Sequence, residues 1–143
     1  MRVAVGSDHA GCSLKERVVA HLRGLDHEID DLGTHGPESV DYPDFGRRVA
    51  LAVAQGKAER GILVCGTGQG MAITANKVPG IRAAVVSDVL SARMAMAHND
   101  ARVLCLGERI VGPGLALLLV DAWLGARFEG GRHARRVGKI EVG

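Results

Sequence analysis

Aromatic side chains are almost absent from this chain: one Trp, one Tyr and two Phe, 3% of the residues. Val, Leu, Ile and Ala must therefore fill any core, and there is little on which the bases of a single-stranded nucleic acid could stack. Cysteine is sparse as well. Cys12, Cys65 and Cys105 form an odd, widely spaced set, which makes neither a disulfide framework nor a zinc-ligand pattern. A reducing cytoplasm is the expected location. An excess of one charge is also missing. Eighteen Lys and Arg against 16 Asp and Glu leave a net charge of +2 with His neutral, too little for a global field that gathers a polyanion. No apolar run, Leu115–Val120 included, approaches the length of a membrane span. The opening Met1–Gly6 enters a strand with no signal-peptide core. Neither nucleic acid nor membrane is an expected partner.

What is present suits a globular protein. The 143 residues are 47% hydrophobic and 24% charged, enough to bury a core and inconsistent with disorder. One domain over 1–143 is expected, with a basic tail from about residue 126. Strand-length apolar runs alternate with helical periods. Arg2–Gly6 reads as a first strand, and Leu14, Val18, Val19 and Leu22 mark one face of a helix. His27–Leu32 is a more polar second strand for a sheet edge. Pro43 suits the first turn of a helix that buries Phe45, Val49, Ala52 and Val53. Gly61–Cys65, Ile81–Val86 and Val103–Leu106 complete the strands, with helices between them and a last one opened by Gly112-Pro113-Gly114. This βαβ series predicts an α/β fold: a three-layer, doubly wound, Rossmann-like or flavodoxin-like sheet of five parallel strands in the order 2-1-3-4-5.

In that order strands 1 and 3 meet at the switch point, where this architecture leaves a crevice for ligand. The loops leaving them are Gly6-Ser7-Asp8-His9-Ala10-Gly11 and Cys65-Gly66-Thr67-Gly68-Gln69-Gly70. The alternate glycines allow close backbone approach, and the helix start after them offers N–H groups to an anion. No Gly-Lys-Ser/Thr follows, so this is not a Walker A loop. The plain alternative is a tight strand-to-helix turn. Cys65 ends its strand at that helix start, a setting that favours a thiolate. Thr67 is placed to hydrogen-bond and orient the sulfur. Cys105 lies between Leu104 and Leu106 and reads as a buried hydrophobe, and Cys12 reads as structural. Asp8 and His9 stand on the opposite wall. His98-Asn99-Asp100 closes the fourth helix, where an imidazole can shuttle protons. Arg132 and Arg136, four residues apart, would share a helix face and suit a phosphate, with Arg109 able to join them.

Taken in order over nearly the whole chain, these motifs resemble the type B ribose-5-phosphate isomerases, the family that also holds the galactose-6-phosphate isomerase subunits. The resemblance rests on Gly6–Gly11, Asp41-Tyr42-Pro43, Cys65–Gly70, Ala75-Asn76-Lys77, His98-Asn99-Asp100 and Glu129-Gly130-Gly131-Arg132-His133. It implies an aldose–ketose isomerase that interconverts D-ribose 5-phosphate and D-ribulose 5-phosphate through an enediolate, with neither metal nor redox cofactor. In that pattern Cys65 is the base and Thr67 positions it. The backbone from Gly66 through Gly68 and Gln69 to Gly70 holds the oxyanion. His98 opens the sugar ring, aided by Asp8, which also binds substrate. Tyr42 and Asn99 hold hydroxyls, and His9, Arg109, Arg132 and Arg136 hold the phosphate. A homodimer, or a tetramer of paired dimers, is implied, with His98, Asn99 and Arg109 serving the neighbour's crevice. One branch of the family replaces the cysteine with a glutamate just after the third glycine. Met71 stands there in this chain and cannot take a proton. The rival readings are the same chemistry on a six-carbon phosphosugar, such as allose or galactose 6-phosphate, and a non-catalytic phosphosugar-binding module.

Overall fold

A central parallel strand needs apolar residues on both faces, because helices cover it above and below. The computed structural model describes residues 1–141 and arranges five such strands between helices. In chain order the elements are β1 (Arg2–Ser7), α1 (Cys12–Gly24), β2 (Glu28–Asp31), α2 (Tyr42–Ala54), β3 (Arg60–Cys65), α3 (Gln69–Asn76), β4 (Ala83–Val85), α4 (Val89–Ala97), β5 (Val103–Gly107), α5 (Pro113–Gly125) and α6 (Arg132–Ile140). Every paired strand runs parallel. The α/β class, the strand number and the polar edge strand β2 are as expected.

The order is β2-β1-β3-β5-β4, so the last two strands exchange the places expected of them. The reason lies in what each can bury. All five residues of β5 are buried, whereas the three of β4 are only half-buried. Val103 to Leu106 removes apolar surface from water on both faces when it lies beside β3; Ala83-Ala84-Val85 has little to bury and takes the edge. On either side of it Ile81 and Val86 are buried just outside the strand, Val86 N–H still donating to Cys105 O at 3.3 Å. The side chain of Asn76 stands in for a strand neighbour there, accepting from Ala83 N–H at 2.8 Å and donating to Ala83 O at 3.0 Å.

The exchange also decides where α4 goes. A right-handed return from β4 to β5 runs opposite in direction to the step from β3 to β4, so α4 and α3 lie on different faces. One layer accordingly packs α1, α4 and α5 against Val3, Val5, Ile62, Val64, Leu104 and Leu106. The other packs α2 and α3 against Ala4, Leu63, Cys65, Val103 and Cys105. Within the first layer Trp123 is fully buried. Its indole N–H donates to Ala101 O at 2.8 Å, and the Arg60 guanidinium lies 5.2 Å over the ring. Replacing Trp123 by Ala is expected to cost about 3–5 kcal/mol of stability, measured by urea unfolding followed by circular dichroism.

The basic tail contains a helix the sequence reading did not predict, α6. Gly130 and Gly131, with φ of +69° and +56°, turn the chain into it. His133 is buried and Val137 half-buried on one side of α6, while Arg132 and Arg136 are exposed.

Candidate active site

At the carboxyl edge of the sheet, the end of β3 and the start of α3 dispose of their backbone donors one by one. Gly68 caps α3 at φ +82° and gives its N–H to Cys65 Sγ at 3.2 Å. Gln69 N–H goes to Thr67 Oγ1 at 3.3 Å. The next first-turn donors, Gly70 and Met71, have no partner inside the helix. Cys65 is 5% exposed, at the mouth of this nest. Thr67 thus folds its hydroxyl onto its own backbone, and the bond to the sulfur expected of it comes from Gly68 instead. The loop is held from outside by contacts that need glycine. A Cβ on Gly107 would stand 2.6 Å from the Thr67 carbonyl carbon, and one on Gly70 would stand 2.4 Å from the Tyr42 ring. Tyr42, at the start of α2, therefore lies directly on the glycine loop.

Two further walls meet this loop. Asp8 is buried beside the end of β3, its N–H donating to Val64 O at 3.3 Å, and its carboxylate closes the β1–α1 turn by accepting from Gly11 N–H at 3.0 Å. A Cβ on Gly11 would meet Val64 O at 2.4 Å, so the turn sits tight against β3. His9 is exposed, its Nδ1 accepting from Val40 N–H at 3.1 Å. On the other side, Arg109 N–H donates to Gly66 O at 3.0 Å and its guanidinium comes within 3.7 Å of a Cβ placed on Gly66. Arg109, expected with His98 and Asn99 to serve a neighbour's crevice, stands beside Gly66 of its own chain.

His98 and Asn99 lie at the opposite edge. They end α4, which returns to the amino end of β5; His98 N–H donates to Met94 O at 2.9 Å, and Asn99 O accepts from Arg82 Nε at 2.9 Å. Glu129 N–H donates to Ala97 O at 3.0 Å and ties the approach to α6 to the same corner. Arg132 and Arg136 come there with it. Between this corner and Cys65 stands the full length of β5, roughly 15 Å at about 3.3 Å per residue. One chain therefore brings Asp8, His9, Tyr42, Cys65, the glycine loop and Arg109 together, and separately His98, Asn99, Arg132 and Arg136. A groove of about 650 Å³ lined by Asn76, Pro79, Arg82, Asn99 and Ile140 belongs to the second group and does not reach Cys65.

Glu129 and His133 belong to the tail motif, and sequence gives neither a role. The structure stacks the His133 ring on His98 with centroids 4.1 Å apart and an interplanar angle of 10°. Their Glu-x-x-x-His spacing was the available signal. Burial, and after it the neighbouring His98 and Arg132, hold the His133 imidazole below its usual value. In an NMR titration its midpoint is expected under 6.5; a higher midpoint would mean that the Glu129 charge outweighs burial. Burial also pushes the thiols of Cys12 and Cys105 up, which keeps both protonated and chemically quiet.

Comparison with known proteins finds the same arrangement of sequence. A family profile described as Ribose/Galactose Isomerase matches residues 3–140. The ribose-5-phosphate isomerase B of Escherichia coli is 52% identical over 139 residues, 97% of this chain and 93% of that one. The D-erythrulose-4-phosphate isomerase of Pectobacterium atrosepticum is 46% identical over a 145-residue alignment, covering 98% of this chain and 93% of its own. The solved structure of Clostridium thermocellum ribose-5-phosphate isomerase B superposes with a TM-score of 0.98 at 58% identity, over 99% of this chain and 95% of that one.

Proposed function

This chain belongs to the ribose/galactose isomerase family, and on that premise we propose that it interconverts D-ribose 5-phosphate and D-ribulose 5-phosphate with Cys65 as the base. The observation that carries the reading is the buried sulfur of Cys65, 3.2 Å from Gly68 N–H, at the mouth of a helix start with donors at Gly70 and Met71. The Cys65 thiolate takes the proton from C2 of the open-chain aldose, and the electron pair moves to O1. The enediolate oxygen faces the glycine-loop N–H groups, whose dipoles are already oriented when the charge develops. The proton returns to C1 as the O2 proton passes to O1, which leaves the ketose with no net change in atoms or electrons. His98 opens the furanose by moving a proton at the ring oxygen, with Asp8 at the anomeric side. Tyr42 and Asn99 hold hydroxyls, His9, Arg109, Arg132 and Arg136 the phosphate, and Thr67 shapes the loop.

The two residue groups at opposite sheet edges complete one site only when two chains meet, so the working unit is a homodimer with sites shared between subunits. Exposed Leu90 and Ile110 flank the carboxyl edge and support a second copy there. The three free cysteines fit a reducing cytoplasm, and no helix among the described residues is long and apolar enough to cross a membrane. The erythrulose-4-phosphate relative favours a second reading in which sugar length differs. Parallel assays on four-, five- and six-carbon aldose phosphates test both, with ribose 5-phosphate expected to lead in kcat/KM by at least about tenfold. Absence of turnover, together with no solvent deuterium entering C1 or C2 of the bound sugar, would leave only a binding module.

A further inference from the structure

The corner that holds His98 has the geometry of a metal cage. Glu129 Oε1 lies 3.6 Å from His98 Nε2 and 3.5 Å from His133 Nε2. The three ligand atoms all fall within 4.8 Å of one another. Two ligands about 2.0–2.1 Å from a zinc ion and a tetrahedral angle apart are separated by roughly 3.3–3.4 Å. Both Glu–His edges are therefore within a few tenths of an ångström of that spacing. Two of the three groups are held without an ion. The backbone of Glu129 is tied to Ala97 O, and the side chain of His133 is 10% exposed under the His98 ring. The rings are stacked with their planes 10° apart, so both imidazoles reach one ion when the more exposed His98 ring turns out of the stack toward Glu129. The His98 and Glu129 side chains are 38% and 55% exposed, which leaves a fourth position open to water.

We propose that His98, Glu129 and His133 bind one divalent transition-metal ion, Zn²⁺ foremost, and that the bound ion inhibits the isomerase by occupying the lone pair of His98. The inhibitory half rests on the role of His98 proposed above; the binding half does not. Two imidazoles and one carboxylate with an open position are a zinc donor set rather than one for Mg²⁺ or Ca²⁺, which take oxygen ligands. Arg132 and Arg136 on α6 oppose a cation in this corner, so the ion is a reversible inhibitor and not a resident cofactor.

The test uses the full, tag-free chain stripped with EDTA. Isothermal titration is expected to show one Zn²⁺ per chain, with Mg²⁺ silent. Saturating Zn²⁺ should lower kcat/KM for ribose 5-phosphate at least tenfold, and EDTA should restore it. Glu129→Gln and His133→Gln, two substitutions in different elements, should each weaken Zn²⁺ binding at least about tenfold. The activity each variant keeps should lose its zinc sensitivity. Bound Co²⁺ should show no thiolate charge-transfer band. The proposal is overturned by no stoichiometric binding, by unchanged binding in both variants, or by a cobalt–thiolate band that Cys65→Ser removes. A chain that binds Zn²⁺ as described yet turns over no sugar phosphate upholds the metal site, overturns the inhibition, and counts against the proposed function separately.

Discussion

With Cys65 replaced by Ala, kcat for ribose 5-phosphate is expected to fall about 10²- to 10⁴-fold, the range for loss of a general base, while the sugar phosphate still binds. No neighbour is free to stand in for the sulfur. The Asp8 carboxylate already accepts from Gly11 N–H, and one ring nitrogen of His9 accepts from Val40 N–H. Binding is expected to survive because the groups proposed to hold the phosphate and hydroxyls lie elsewhere. Removing the sulfur also strands Gly68 N–H, a cost of roughly 1–3 kcal/mol in stability. The Cys65→Ser variant separates the two effects, since its hydroxyl can still accept from Gly68 but is not ionised at neutral pH. Both variants should therefore be inactive, and calorimetry with ribulose 5-phosphate should show both still binding. Near-normal turnover in either would remove the thiol from the mechanism.

The second large effect is a gain. Cys65→Ala and His98→Asn homodimers are each expected to be inactive, since every site in them lacks one of the two groups. Unfolded together in equal amounts and refolded, they should recover about a quarter of wild-type activity. Half of the dimers are then mixed, and each of those holds one intact site and one doubly defective site. This follows from the strand length between Cys65 and His98, which no side-chain rotation spans within a chain. Differently tagged chains allow the mixed dimer to be isolated. A purified mixed dimer with no activity would show that the two residues do not share a site across subunits.

Much of this was legible in the residues, and the exceptions have definite causes. The switch-point crevice followed from the βαβ series and from two chemically unusual loops, Gly6–Gly11 and Cys65–Gly70. Those signals are local, since a loop at the end of a strand stays at that edge whatever its neighbours do. Strand order is not local. Whether Val103–Gly107 or Ala83–Val85 sits inside depends on which buries more area against β3, a comparison between segments that periodicity does not make. Thr67 is expected on the sulfur; in the structure its Oγ1 accepts from Gln69 N–H and the left-handed Gly68 gives its own N–H to the sulfur, since a hydroxyl two residues from a thiol can serve either the sulfur or the backbone. Arg109 follows β5 at the carboxyl edge, as its sequence position indicates; its place in a neighbour's crevice depends on how two chains pack, which spacing within one chain does not show. Helix α6 is rich in charge and makes few apolar contacts, so only the docking of His133 against His98 marks it.

The scarcity of aromatics has a practical side. The only indole, Trp123, is sealed between α4 and α5, and the only phenol, Tyr42, lies on Gly70 at the crevice. Each chromophore therefore has one address. Excitation selective for tryptophan reports the integrity of the helical layer and of the Ala101 corner that leads to β5, with no contribution from the glycine loop. Tyrosine's part of the difference absorbance, once the overlapping tryptophan band is subtracted, comes from that loop. Folding and ligand occupancy can thus be followed in the same cuvette, unlabelled, as two separable optical signals.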